Sequence, residues 1–379
     1  MQNLHAVPAL PDSTQLMRHT TSGYQYQTIF SFLGFDGATP AGSLVYFKGK
    51  LYGTTERGGY YSQGTVFSVT LSGKQRVLHN FGQSGDGIKP EAGLAVLNGV
   101  LYGTTYLGGA YNDGAVFNVT ADGTEHVVYS FGQSRTDGMN PVAGLTPLNG
   151  LLYGTTLAGG TYNAGTVFAI DPAGREAMLY RFPSYSKADG SIPFAGLIAY
   201  KGKLFGTTDS SGPCGEGTVF SITTSGKEKT IYGFPCKRYD GANPQAGLVV
   251  VNGALYGTTT WGGKAFYNAG TAFSVTMSGK ERILFDFYPS SEYGAKPDTT
   301  LLLLKGALYG TTPESAANDA GSLYSITPSG QVTVLHAFGI PPDGAAPLAG
   351  LTDVKGTLYG TTSAGGGVAN AGTVYRITP

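Results

Sequence analysis

The sequence predicts an all-β fold, a seven-bladed β-propeller built from four-stranded antiparallel blades. The pentapeptide Leu-Tyr-Gly-Thr-Thr occurs seven times, with Phe205 in place of Tyr in the fourth copy. Successive copies lie 50 to 53 residues apart, and a period near 50 made of short strand-like runs is typical of propellers. Seven copies of one unit in 379 residues indicate one closed body rather than several unrelated domains. The central glycines of the motif are Gly53, Gly103, Gly154, Gly206, Gly257, Gly310 and Gly360.

The composition agrees with a turn-rich β-protein and argues against two classes of partner. The chain has 60 glycines, and glycine costs about 1 kcal/mol in the interior of a helix. Lys plus Arg and Asp plus Glu both number 24, so no net charge attracts nucleic acid or an anionic membrane. No stretch approaches the roughly 20 apolar residues of a membrane helix. We therefore expect no nucleic acid partner, no membrane insertion and a monomeric protein.

The second repeat shows how each unit forms four strands. A short apolar run is turned back by Asn98-Gly99, which is a strong hairpin signal. The third run carries apolar groups on both faces, so both faces must be covered, as neighbouring blades of a propeller do. The predicted strands, named A to D in chain order, are Ala92–Leu97, Leu101–Thr105, Gly114–Thr120 and Glu125–Phe131.

The two ends of the repeat array predict how the ring closes. Tyr26–Phe32 reads as a D strand with no A, B or C strand before it, and Gly372–Thr378 reads as a C strand with no D strand after it. The N-terminal strand therefore supplies the missing outer strand of the last blade. Residues 1–24 are interpreted as a leader outside the repeats, and residues 25–379 as a single propeller.

The repeated unit resembles a known bacterial tandem repeat. Its elements are Leu-Tyr-Gly-Thr-Thr-x-x-Gly-Gly, then Gly-Thr-Val-Phe-Ser-Val-Thr, then Asp-Gly-x-x-Pro-x-Ala-Gly-Leu. This pattern is similar to the repeat called GloVer, and the likeness covers nearly everything after residue 24. The resemblance implies an exported or surface-attached bacterial protein whose activity is mostly unassigned, and it carries no catalytic motif. Kelch repeats match less well because they place a Trp in each blade, whereas this chain has only Trp261.

The lengths of the connections predict which face of the propeller carries function. The A–B and C–D turns are short and share one face, while the B–C and D–A loops are long and share the other. Function in β-folds concentrates on long loops held by a rigid scaffold. We therefore expect the site at the long-loop mouth of the central channel, and at positions where the blades differ.

The two residues after each Gly-Thr-Thr differ from blade to blade and leave strand B toward this face. They supply carboxylates, a guanidinium and aromatic rings, which suit a carbohydrate ligand because flat aromatics stack on pyranose faces and charged groups bind hydroxyls or a uronate. The candidate catalytic residues are Glu56, Arg57, Tyr106, Asp209 and Glu314. The candidate ligand-binding residues are Trp261, Tyr60, Tyr111, Tyr162, Tyr267, Lys264 and Glu216.

Several reaction classes remain open at this point. In a glycoside hydrolase, two of the four carboxylates Glu56, Asp209, Glu216 and Glu314 would act as acid and base about 5 to 10 Å apart. In a polysaccharide lyase, Arg57 or Lys264 would neutralise a uronate while Tyr106 takes the proton. There are two alternatives to a carbohydrate-active enzyme. One is a non-catalytic glycan- or protein-binding module, and the other is a small-molecule enzyme that uses the channel as a chamber. Each charged candidate also has a plain interpretation as a solvated rim or loop residue.

The repeated Gly-Thr-Thr and Asp-Gly-x-x-Pro segments are interpreted as structural. Threonine hydroxyls bond to neighbouring backbone, and an aspartate before glycine closes a turn. The repeated aspartates suggest a cation-binding ring, but turn chemistry explains them and Tyr293 interrupts the series. These aspartates are Asp36, Asp86, Asp137, Asp189, Asp240 and Asp343.

No metal site and no cofactor are predicted. His79, His126 and His336 fall on D strands at the outer rim, and no paired His or Cys-x-x-Cys spacing occurs. Cys214 and Cys236 fall in long loops around the fourth blade, where a disulfide or two unrelated thiols are possible. A disulfide there, like the composition, favours an extracellular or periplasmic location with the signal peptide outside this numbering.

Overall fold

The computed structural model describes residues 23–184, 186–235, 239–264, 268–289, 292–316, 318–339 and 342–378. These residues form seven four-stranded antiparallel sheets arranged as a seven-bladed β-propeller, as predicted. The innermost A strands are Val45–Phe47, Ala95–Leu97, Thr146–Leu148, Ile198–Tyr200, Val249–Val251, Leu302–Leu304 and Thr352–Val354. The B strands are Lys50–Thr55, Val100–Thr105, Leu151–Thr156, Lys203–Thr208, Ala254–Thr259, Ala307–Thr312 and Thr357–Thr362.

The outer half of each blade consists of strands C and D. The C strands are Thr65–Thr70, Ala115–Val119, Thr166–Ile170, Thr218–Thr223, Thr271–Thr276, Ser322–Ile326 and Thr373–Thr378. The D strands are Gln75–Asn80, Glu125–Ser130, Glu176–Arg181, Glu228–Gly233, Glu281–Asp286, Val332–Ala337 and Gln25–Ser31. None of the described residues forms a helix of the length and apolarity needed to cross a membrane.

The first strand closes the ring as predicted. Gln25–Ser31 pairs antiparallel with Thr373–Thr378 and so becomes strand D of blade 7. Each apolar core cluster joins two neighbouring blades. One cluster, for example, packs Val116 and Phe131 of blade 2 against Leu152 and Phe168 of blade 3. The two apolar faces of the C strands are thus covered by adjacent blades.

The glycine and threonines of the repeated motif are structural, and the side chains show why. A Cβ on Gly154 would lie 2.5 Å from Cζ of Phe168, so only glycine lets this buried ring cross strand B. The first threonine ties neighbouring blades together, since Thr54 Oγ1 donates to the carbonyl of Ala92 in blade 2 at 2.7 Å. The second threonine acts within its own blade, and its equivalents pair with the residue that begins strand C. These pairs include Thr55–Thr65, Thr156–Thr166, Thr208–Thr218, Thr259–Thr271, Thr312–Ser322 and Thr362–Thr373.

Every D strand carries one β-bulge, which the sequence analysis did not anticipate. In blade 1, Val66 pairs with His79 and Phe67 pairs with Val77, so Leu78 is the extra residue. The C–D turn of the next blade packs on this bulge, because a Cβ on Gly123 would lie 2.6 Å from the Leu78 carbonyl oxygen. Bulges bend a strand and re-aim the adjacent side chain. In blade 1 that side chain is His79.

Candidate functional site at the long-loop mouth

The two long loops of each blade are braced against each other on one face. The D–A loop entering blade 2 pairs through Gly87–Ile88 with Leu107–Gly108 of the B–C loop. Equivalent two-stranded pairs occur in blades 3, 4, 5 and 7, and single bridges Ala38–Arg57 and Ala295–Glu314 replace them in blades 1 and 6. The long loops therefore share one face, as the strand order predicted.

The end of each D–A loop lies against the neighbouring blade. A Cβ on Gly42 would lie 2.4 Å from the carbonyl carbon of Ala92, and one on Gly93 would lie 2.5 Å from the Ser43 carbonyl oxygen. Adjacent blades thus meet through their backbones at the ends of the D–A loops.

One position in each D–A loop, directly after the loop proline, varies between blades. Its residues are Ala41, Glu91, Val142, Phe194, Gln245, Asp298 and Leu348.

Glu91 is the first of these variable residues with a marked electrostatic perturbation. Both of its neighbours in the chain contact blade 1. Pro90 packs against Gly64, where an added Cβ would lie 2.7 Å from Pro90 Cδ, and the Ala92 carbonyl accepts a hydrogen bond from the Thr54 hydroxyl. The backbone around Glu91 is therefore fixed at the junction between blades 1 and 2.

Four charged side chains interact at this junction, and we call them the mouth cluster: Glu56, Arg57, Lys89 and Glu91. Burial and the neighbouring Glu56 raise the pKa of Glu91 to about 7, while Lys89 and Arg57 oppose that rise. Glu56 Oε1 lies 3.3 Å from Nε of Arg57, whose side chain is mostly exposed. The cluster therefore combines an acid–base group poised near neutral pH with two cations.

Tyr106 is tied to the same junction through its backbone. Its N–H donates to the Lys89 carbonyl at 2.9 Å, and its own carbonyl accepts Asn140 Nδ2 at 3.1 Å. The structure thus brings three sequence-predicted residues, Glu56, Arg57 and Tyr106, to the junction where Lys89 and Glu91 also lie. The sequence analysis missed the last two because it compared only the residues that follow Gly-Thr-Thr.

A second charged group lies between blades 5 and 6. Lys296 Nζ lies 2.8 Å from Glu314 Oε2 and 4.4 Å from the centroid of the Trp261 ring. One face of Trp261 is therefore engaged in a cation–π contact. Burial raises the pKa of Asp298 to about 7, and Glu314 contributes to that rise.

Asp209 is surrounded by hydrogen-bond donors between blades 4 and 5. Its Oδ1 accepts Gln245 Nε2 at 2.9 Å and its Oδ2 accepts Ser210 Oγ at 2.7 Å. Gln245 is itself oriented by the Thr260 hydroxyl, which donates to Oε1 at 3.3 Å. These contacts give both carboxylate oxygens of Asp209 a donor and fix the side chain at the junction of blades 4 and 5.

Four predicted residues lie in the B–C loops of blades 1, 2, 3 and 5: Tyr60, Tyr111, Tyr162 and Lys264. Tyr60 is 81% exposed, and Tyr111 and Tyr162 are exposed in the equivalent loops of blades 2 and 3. Lys264 lies beside Asp286 at the end of strand D in blade 5. Burial raises the pKa of the Asp286 carboxyl, and the charge of Lys264 opposes that rise.

Four further predicted residues belong to blades 4 and 5: Glu216, Tyr267, Cys214 and Cys236. The Glu216 carbonyl accepts the Asn243 N–H at 2.9 Å, so this residue joins the B–C loop to the next D–A loop. Tyr267 lies outside the described residues. Cys236 does too, so its pairing with Cys214 stays a prediction.

Sequence comparison assigns the family. The profile of the Gloeobacter/Verrucomicrobia repeat matches residues 12–214 and 197–379. The chain belongs to this repeat family. Among curated proteins, no sequence matches it.

Solved structures similar to this family member share its fold at low sequence identity. Virginiamycin B lyase from Staphylococcus aureus has a TM-score of 0.61 and 15% identity, over 94% of this chain and 99% of that one. A streptogramin B lyase has a TM-score of 0.61 and 16% identity, over 94% and 97%. A puromycin-hydrolyzing peptidase from Mycobacterium tuberculosis has a TM-score of 0.52 and 11% identity, over 87% of this chain and 50% of that one. These similarities show the propeller fold.

Proposed function

We propose that the protein is a carbohydrate-active enzyme that works at the mouth cluster, and that its substrate carries carboxylate groups. The observation that carries this proposal is the convergence of Glu91, whose pKa is about 7, with Glu56, Lys89 and Arg57 at one junction. General acid–base catalysis works best when the catalytic pKa lies near the operating pH. The two cations favour an anionic substrate such as a uronate over a neutral sugar.

Elimination is the reaction that this combination supports best. Neutralisation of the uronate carboxylate by Arg57 and Lys89 acidifies the neighbouring C–H bond. Ionised Glu91 takes that proton, the electron pair forms a carbon–carbon double bond, and the glycosidic carbon–oxygen bond breaks. The leaving oxygen takes a proton, for which Tyr106 is our candidate donor. Glu56 holds Arg57 through their 3.3 Å contact. The fold is compatible with this reaction class, since a structurally similar protein is named a lyase.

The test is a screen of the purified protein against acidic and neutral polysaccharides. Elimination gives an unsaturated uronate with ultraviolet absorbance, whereas hydrolysis gives reducing ends without it. We expect absorbance from an acidic polysaccharide, and we expect Glu91→Gln to lower kcat/KM at least 100-fold because it removes the base. Glu228→Gln is the matched control, since Glu228 is a half-buried carboxyl with a raised pKa on strand D, outside the mouth cluster. Full activity in Glu91→Gln would remove this residue from the mechanism.

A binding module is the second candidate, and the exposed tyrosines favour it. Tyr60, Tyr111 and Tyr162 occupy the B–C loops of three consecutive blades on one face. Aromatic platforms repeated in this way suit a multivalent glycan contact. Binding of an acidic polysaccharide without any turnover, weakened by Tyr111→Ala, would support this candidate over the enzyme.

We also propose that the protein is exported and that Cys214 pairs with Cys236. Disulfides persist in oxidising compartments, and an extracellular or periplasmic location would give the protein access to polysaccharides.

A further inference from the structure

Three potential metal ligands meet at the outer strands of blades 1 and 2. His79 lies near the end of strand D in blade 1, Asp86 lies in the loop that follows, and Glu125 begins strand D of blade 2. One ligand atom from each lies within 4.8 Å of the other two. His79 Nε2 lies 2.9 Å from Asp86 Oδ2 and 4.0 Å from Glu125 Oε2. We call these residues the rim triad.

The fold rather than the local sequence assembles the rim triad. The bulge at Leu78 directly precedes His79 and re-aims its side chain. The turn at Gly123 packs on the Leu78 carbonyl and brings the start of the following D strand, with Glu125, against blade 1. No ligand spacing in the sequence reveals this contact, which is why the search for paired histidines predicted no metal site.

Two carboxylate oxygens of the rim triad are buried without a hydrogen-bond partner in the described structure. They are Asp86 Oδ1 and Glu125 Oε1, and the two side chains are only 6% and 10% exposed. A buried polar atom without a partner costs about 1–3 kcal/mol, and more when it is charged. Burial and the nearby Asp86 raise the pKa of Glu125 to about 7, with His79 opposing the rise.

The next junction holds the same aspartate but satisfies it fully. Asp137 Oδ1 accepts the N–H of Gly138 at 2.7 Å, and Oδ2 accepts the Tyr129 hydroxyl at 3.1 Å. Oδ2 also accepts two further backbone N–H groups, from Gly132 and Gln133. Asp86 Oδ1 therefore lacks the partner that Asp137 Oδ1 has, whereas an unpartnered Oε1 recurs at Glu176, the equivalent of Glu125 in blade 3.

The geometry points to a divalent transition-metal site in which His79 Nε2 and one carboxylate oxygen each from Asp86 and Glu125 bind the ion and clamp blade 1 to blade 2. Ligand atoms about 2.0–2.2 Å from a tetrahedral ion lie roughly 3.4 Å apart. The observed 2.9 and 4.0 Å separations bracket that value. Imidazole combined with carboxylates suits Zn²⁺ and its first-row neighbours better than Ca²⁺ or Mg²⁺.

The surroundings leave room for a fourth ligand. The rim triad lines a cleft of about 400 Å³ together with Gln83, Ser84, Gly85 and His126. A water molecule in this cleft would complete a tetrahedral shell, since sites with three protein ligands commonly hold water in the fourth position.

The junction of blades 6 and 7 offers a natural comparison. His336 Nε2 lies 2.7 Å from Asp343 Oδ2, which repeats the first two members of the rim triad. The third position is Tyr26, whose ring stacks on His336 with centroids 3.7 Å apart. Asp343 Oδ1 also accepts the Gly344 N–H at 2.7 Å. A histidine–aspartate pair alone therefore provides too few ligands, and His336 serves as a control for His79.

The test measures Zn²⁺ binding to the metal-free full chain by calorimetry and by equilibrium dialysis with metal analysis. We expect one Zn²⁺ to bind per chain, and we expect His79→Tyr and Glu125→Gln each to lower the Zn²⁺ affinity at least tenfold. His79→Tyr places in blade 1 the residue that blades 2 to 4 carry at the same position, so the fold should tolerate it. His336→Tyr is the control and should bind Zn²⁺ like the unmodified protein. Zn²⁺ should raise the melting temperature of the unmodified protein and of this control, but not of His79→Tyr.

Two results would overturn the proposal. One is no Zn²⁺ uptake by the unmodified chain. The other is unchanged Zn²⁺ affinity in a folded Glu125→Gln or His79→Tyr variant, which would place the bound ion elsewhere. Circular dichroism without metal establishes whether each variant folds. If one variant does not fold, the Zn²⁺ affinity of the other decides the test. Mn²⁺ and Ca²⁺ run in parallel test the ion class, and tighter binding of Ca²⁺ than of Zn²⁺ would contradict the ligand chemistry.

Discussion

Removal of one buried hydroxyl should stabilise the propeller. Strand C carries a fully buried aromatic ring over the motif glycine in every blade. In blade 6 it is Tyr324, whose hydroxyl has no hydrogen-bond partner among the described residues. Burial raises the pKa of this hydroxyl far above its usual value. Five other blades have phenylalanine at this position: Phe67, Phe117, Phe168, Phe220 and Phe273.

The structure sets the size of the effect. Burying an unpaired hydroxyl destabilises the folded state by about 1–3 kcal/mol. Its removal leaves a cavity the size of one oxygen atom, which offsets only about a few tenths of a kcal/mol of the gain. Tyr324→Phe should therefore raise the free energy of unfolding by about 1–2 kcal/mol. Tyr375 repeats the arrangement in blade 7. The two rings belong to different core clusters, so the gains should add.

Equilibrium unfolding in guanidinium chloride checks this prediction, with Phe273→Tyr as the reverse control. We expect the two Tyr→Phe variants to unfold at higher denaturant concentration and the control to unfold at lower concentration. A loss of stability in both Tyr→Phe variants would show that the hydroxyls are hydrogen-bonded, and the reasoning from unpaired groups would be refuted.

Three further predictions concern packing, titration and the cysteines. Gly154→Ala should lower the free energy of unfolding by about 1–3 kcal/mol, because its Cβ would lie 2.5 Å from the Phe168 ring; an unchanged denaturation midpoint would contradict this. Burial and Asp137 raise the pKa of Glu176 from 4.5 to about 7, so the folded state binds more protons and stability should fall as pH rises across that window. Glu176→Gln should reduce the loss of melting temperature between pH 5 and pH 8, and a loss identical to that of the unmodified protein would exclude the titration of Glu176 as its cause. Thiol titration of the unreduced, denatured protein should find no free thiol, and reduction should cost about 3 kcal/mol if Cys214 and Cys236 close one loop; two reactive thiols would refute the disulfide.

The fold was predictable because the signals that determine it are local and repeated seven times. Asn98-Gly99 makes a hairpin through residues adjacent in the chain, and the motif at Gly154 marks strand B wherever it recurs. Ring closure was also predictable, since an unmatched D strand at one end and an unmatched C strand at the other can pair. The bulges at positions such as Leu78 left no signal, because they depend on how the next blade packs.

The site was only partly predictable because its residues meet across blade junctions. Glu56 and Arg57 stood out through their divergence after Gly-Thr-Thr, but Glu91 follows a loop proline in the next blade. Its divergence from Val142 and Phe194 at the same position was the signal that could have revealed it. His79 and Glu125 are 46 residues apart, and only the packing of consecutive D strands brings them together. Sequence spacing therefore reveals contacts within a blade but not contacts between blades.

The pH dependence of kcat/KM on an acidic polysaccharide tests the role of the mouth cluster most directly, because this parameter reports ionisations of the free enzyme. The pKa of Glu91 is about 7, so kcat/KM should rise with pH and level off above an inflection near pH 7. That inflection should disappear from the residual activity of Glu91→Gln and persist in Glu228→Gln. An inflection that stays in place when Glu91 is replaced would show that another group carries the proton.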